Sequence, residues 1–220
     1  MSNASTDFTV RDDPRDPHVR ANWDAVLARL AHQLLPTDFA GFVDAFAARQ
    51  RSVVPAIEAH DAALARYEET NDLLLDAASA TQDAILALVK LLLKAGLATT
   101  VRLFGRFLSC SMATLQVLDP PWQIGAVRCL HRRLHRADDV TPEMRQAADV
   151  MLRAAQTHHE TAPICGARGR EHYAAERTLN NEIFEWRRMA RKLKWSASWY
   201  WRVDSPEYRA IFQMSERPSA

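Results

Sequence analysis

The chain has 220 residues, 48% of them hydrophobic and 25% charged, with only 6 Gly and a formal net charge of +1. Three cysteines cannot build a scaffold of bridges, no tract repeats, and near-neutrality argues against a globally basic nucleic-acid binder. With 36 Ala and 23 Leu set against those 6 Gly, strong helix formers dominate and turn glycines are scarce, so the chain reads as all-α.

The amino terminus, polar and partly acidic, lacks the apolar core of a signal peptide, and Cys110, Cys129 and Cys165 have no CxxC spacing. A cytoplasmic, reducing address is the expectation. Residues 1–15 are expected to form a disordered or extended tail and 16–160 a helical bundle core. Asp16 followed by Pro17 is a cap with a first-turn proline, and Val19, Trp23, Val26, Leu27, Leu30 and Leu34 then recur at helical spacing until Pro36. Thr37 and Asp38 restart the pattern, which Val53, Val54 and Pro55 are expected to interrupt.

From Ile57 a seam steps by three and four through His60, Leu64, Tyr67, Asn71, Leu74, Ala78, Thr81, Ile85, Leu88, Leu92 and Ala95, as one helix or two. Gly96 is expected to close it as a carboxyl-terminal cap. A further helix is expected over 101–118, ended by Asp119, Pro120 and Pro121. Seven acids crowd Glu58 to Asp83, whereas across 84–118 there is no acid and the only charges are Lys90, Lys94, Arg102 and Arg106. So narrow a polar stripe predicts a long central apolar helix pair wrapped by neighbours, and a surface through which copies of the chain could associate. No window reaches the ~18 uncharged apolar residues of a membrane span.

The second half predicts a helix from about Trp122 to Arg136 and another from Thr141 to about His159. Thr161 to Arg170 holds Pro163, Gly166 and Gly169 and is expected to be the one long loop. A carboxyl-terminal helical segment, 171–214, is then expected to pack on the core, with Ser205, Pro206 and Glu207 opening its last helix and 215–220 disordered. The expected architecture is an irregular bundle of about eight helices, ending in a basic-aromatic helix.

From Arg187 through Arg202 there are six basic residues, three tryptophans and no acid. Trp186, Arg187, Arg188, Arg191, Lys192, Lys194, Trp195, Trp199, Trp201 and Arg202 therefore form the expected interaction surface of a non-enzymatic scaffold protein. Such a surface suits an acidic protein first, and an anionic membrane or RNA by the same chemistry. The competing structural reading buries Trp195 and Trp199 in the core and turns the arginines to water.

His131 and His135 stand one helical turn apart, and His158 with His159 falls on the next predicted helix, a spacing that metal ligands could use. Arg132, Arg133 and Arg136 oppose a cation there, and the ExxH pattern of di-iron bundles is missing. No cofactor is expected. Arg153 and His158 are separated by four residues, a spacing similar to the RxxxxH signature of HEPN-type ribonucleases. That resemblance implies a helical enzyme in which Arg153 stabilises phosphate charge and His158 acts as acid or base. No GxGxxG, P-loop, GxSxG or HExxH is present, so nucleotide-loop and common hydrolase chemistries have no support.

Overall fold

In a computed structural model of the chain, the described residues are 13–98, 107–108 and 111–212, apart from the side chains of Met112 and Ala113. Among them are six helices and no strand: α1 (Pro17–Ala31), α2 (Thr37–Lys94), α3 (Met112–Val117), α4 (Pro120–Arg136), α5 (Pro142–Tyr200) and α6 (Pro206–Phe212). No described helix is long and apolar enough to cross a membrane.

Several boundaries follow the local chemistry. The Asp16 carboxylate accepts from the His18 N–H and Pro17 opens α1. Gly96, with φ of 70°, ends α2 in a paired cap in which Gly96 N–H donates to the Leu93 carbonyl and Leu97 N–H to that of Leu92. Ser111 caps α3 through the Thr114 N–H, and Ser205 accepts from the Tyr208 N–H at the start of α6.

Two expected interruptions are absent. Helix α2 continues through Pro55 for 58 residues, and α5 runs through Pro163, Gly166 and Gly169 for 59 residues, so 161–170 is helix and not loop. An interior proline costs about 3 kcal/mol against alanine, a sum that packing on either side can outweigh. Val53 is fully buried beside Val54, Ala56 and Ile57 in one cluster. At Gly169 a Cβ would meet the Tyr67 ring at 3.4 Å, an ordinary van der Waals distance, so this position packs within the helix without demanding glycine. The seam beginning at Ile57 is buried or half-buried at every position except Ala95. Of the helix expected over 101–118, the described part is helical only over Met112–Val117; 101–106 and 109–110 lie outside the described residues, as do 1–12 and 215–220.

The chain forms two compact units, Met1–Ala63 with His172–Ala220, and Leu64–Glu171. Each takes one part of α2 and one part of α5. In the first, α1, residues 37–63 of α2, residues 172–200 of α5 and α6 enclose Trp23, Val26, Leu30, Phe39, Phe46, Ile183, Trp186 and Leu193. Trp23, Phe46 and Trp186 meet at ring-centroid distances of 4.9 to 5.8 Å. The buried Gln50 amide ties them down, accepting from Trp186 Nε1 at 2.6 Å and donating to Asp24 Oδ1 at 3.0 Å. Arg49 pairs with Glu182 at 2.5 Å and holds that carboxyl below its ordinary range. Because residue numbers on α2 rise as those on α5 fall through Phe39–Tyr200, Gln50–Trp186 and His60–His172, the two segments run antiparallel.

In the second unit, residues 64–94 of α2 pack with α3, α4 and residues 142–171 of α5 around Ile85, Leu88, Leu92, Leu115, Val127, Leu130, Leu134, Met144, Ala148 and Met151. Gln123 is buried there, donating to the Leu115 carbonyl.

Candidate interaction surface

Helical phase decides which aromatics of the carboxyl-terminal stretch meet water. Trp186, Ala190, Leu193 and Ala197 step by three and four and are buried in the first unit. Trp186 therefore does not belong to the surface on which the sequence placed it. On the opposite side Phe184, Arg188, Arg191, Trp195 and Trp199 form an exposed stripe, with Trp195 at 60% and Trp199 at 72% exposure. The competing reading, in which these two tryptophans enter the core, does not hold: the burial side of the helix beside them is occupied by Ala190, Leu193 and Ala197.

The stripe begins earlier than the sequence suggested. Tyr173 and Arg177 are exposed on the same side of α5. Tyr173, Phe184 and Trp195 recur every eleven residues, as do Arg177, Arg188 and Trp199, so each step repeats about 20° out of phase and about 16.5 Å along the helix. That period is readable in the sequence, although a loop at 161–170 would have left Tyr173 and Arg177 at the start of a separate helix.

At its carboxyl-terminal end the stripe borders a hollow of about 450 Å³ lined by Phe42, Trp195, Ser196, Trp199 and Tyr200. Trp195 and Trp199 meet edge to face, with centroids 5.4 Å apart and planes at 77°. Lys192 places its ammonium 4.3 Å from the Phe42 ring centre, and Lys194, half-buried, lies over Trp23 at 4.9 Å. Phe42, contributed by α2, is a member of this site that the carboxyl-terminal stretch itself does not contain. Trp201 is half-buried and packs on Phe39.

The basic residues are partly engaged. Arg187 lies 3.5 Å from Asp13, Arg188 bonds Glu185 at 2.6 Å, and Arg202 lies 3.7 Å from Asp204. Exposed pairs of this kind contribute little to stability and can exchange partners readily.

The histidine and arginine candidates of the second unit separate. His131 and His135 converge with Asp149, whose Oδ1 accepts from their Nε2 atoms at 2.7 and 3.0 Å. His158 instead bonds Gln123 Oε1 through Nδ1 at 3.0 Å, and His159 Nδ1 is buried without a hydrogen-bond partner, so the four histidines do not form one cluster. Arg153 and His158 both lie on α5, five residues and about 140° apart around the helix. Arg153 is exposed while His158 turns inward to Gln123, so the two do not face one phosphate within this chain.

No family model, no curated protein and no solved structure matches the chain.

Proposed function

We propose that the chain is a non-enzymatic interaction protein whose basic-aromatic stripe on α5 docks an acidic segment of a partner protein. The observation that carries this reading is the exposed Trp195–Trp199 pair bordering an aromatic hollow beside Arg188, Arg191 and Lys192. Large aromatics left in water beside arginines are the composition of binding anchors. A concave hollow suits an inserted apolar side chain, and the flanking cations suit acids on either side of it. Two rings at 77° offer no pair of parallel faces for successive bases, which favours protein over single-stranded RNA. Glu185 and Asp204 at the rim weigh against an anionic bilayer.

Self-association through 84–118 has less in its favour, because Ala84, Ile85, Leu88, Val89 and Leu92 are already consumed by the core of the second unit. A cytoplasmic address is supported by the free thiols of Cys129 and Cys165.

The test is a titration of the purified protein with a Glu- and Asp-rich peptide carrying Leu and Phe anchors, in parallel with phosphatidylserine vesicles and a single-stranded RNA. The peptide is expected to bind, more weakly in high salt, and W195A/W199A is expected to lose about 30-fold in affinity, the equivalent of a ~2 kcal/mol anchor. Binding of vesicles or RNA alone, or peptide binding unchanged in the double variant, would overturn the reading.

A further inference from the structure

We infer that His131, His135 and Asp149 form a site for one late first-row divalent cation of the zinc class, independent of the docking surface on the first unit. The two histidines sit at i and i+4 near the carboxyl end of α4, which places both imidazoles on one side of that helix, and Asp149 reaches them from α5. One potential ligand atom from each residue lies within 4.8 Å of the others. The two rings are 4.3 Å apart at 34°, and both Nε2 atoms are directed at the same carboxylate oxygen. The two imidazole donors thus already meet the carboxylate donor in one place. A cation there replaces two hydrogen bonds by coordination at about 2.0–2.2 Å, each neutral imidazole carrying its proton on Nδ1 in place of Nε2.

The donor set selects the metal. Two imidazole nitrogens and one carboxylate oxygen suit zinc, nickel or copper, whereas magnesium and calcium require shells made of oxygen. Three protein ligands on a partly exposed surface leave a fourth position for water, the arrangement of an open site and not of a closed structural one.

Of the arginines that weigh against a metal when the sequence is read alone, Arg132 and Arg133 are directed to backbone, as is Arg145 on α5. Arg133 Nη1 donates to the Phe107 carbonyl and Arg145 Nη2 to that of Ala137, both at 3.1 Å, and Arg132 Nε to that of Arg128 at 3.4 Å. Their charge lowers affinity without filling the position between the three ligands.

Tag-free protein is titrated with zinc by calorimetry and by competition with a chromophoric chelator, beside H131A, H135A and the shape-conserving D149N. One equivalent is expected, insensitive to excess magnesium, with affinity about tenfold or more lower in each variant and a zinc-dependent rise in melting temperature that only the parent shows. No zinc bound by the parent would overturn the inference. So would unchanged stoichiometry and affinity in D149N together with H131A, since binding would then lie elsewhere, for example at the His60–His172 pair whose rings are 5.4 Å apart. Failure of the peptide titration with zinc binding intact would count against the docking surface alone.

Discussion

Tryptophans a few residues apart on α5 have opposite fates, and the cause is phase. Trp186 is sealed between Trp23 and Phe46 with its N–H satisfied by Gln50, whereas Trp195 and Trp199 lie on the other side of the same helix. The sequence makes the stretch visible but not its phase, because aromatic residues occupy both sides and Ala190 and Ala197, the small residues that face the core, are unremarkable in a chain with 36 Ala. His158 gives a test at this scale. Burial, and secondarily the neighbouring His159, lowers its pKa from the ordinary 6.5. On acidification the unfolded chain takes up this proton before the native one, so stability falls from about pH 6.5 down to the lowered native value. His158→Gln is expected to flatten that limb in urea midpoints measured across pH; an unchanged slope would show that another group is responsible.

At the scale of elements, helix starts and stops governed by one or two residues were legible. Asp16 with Pro17, Gly96, and Ser205 with Pro206 all act locally, through a side-chain cap, a left-handed residue or a first-turn proline. Pro55, Pro163, Gly166 and Gly169 were misleading, because a local helix penalty can be outweighed by packing of neighbouring residues against elements distant in sequence. Val53 finds its cluster with residues near 183–193, and Gly169 faces Tyr67 about a hundred positions away. The Asp149 partner of His131 and His135 was illegible for the same reason: it lies on another helix among ordinary surface acids. Both prolines are exposed, so Pro55→Ala and Pro163→Ala remove a helix penalty without removing a core contact. Each is expected to raise stability, by up to about 3 kcal/mol, measured from urea unfolding. A loss of stability in either variant would mean that the proline ring itself supports the local backbone.

For the whole chain, the net charge of +1 conceals two opposed halves, with 1–120 at −4 and 121–220 at +5. The units do not inherit that division. In the first, residues 1–63 carry six basic and nine acidic side chains, 172–220 carry nine and six, and the two sets fold together into a neutral unit with Arg49–Glu182 and Arg187–Asp13 among its ion pairs. The opposition in sequence is therefore used largely within the unit, and what is left for a partner is the local stripe on α5. Division into units also bears on folding. Every residue of the second hydrophobic cluster lies between Ala84 and Ala155, so a fragment of residues 64–171 is expected to unfold cooperatively by itself. Residues 1–171 lack half of the first cluster, and Trp23 and Phe46 are expected to become accessible to solvent in that fragment. A non-cooperative 64–171 fragment would contradict the independence of the second core.

The docking role is tested most directly by fluorine NMR of protein carrying 5-fluorotryptophan at its six tryptophans, titrated with the acidic peptide. The resonances of Trp195 and Trp199 are expected to shift and saturate together while those of the buried Trp23 and Trp186 stay in place. Saturable binding that moves neither Trp195 nor Trp199 would contradict the assignment of this stripe as the working surface.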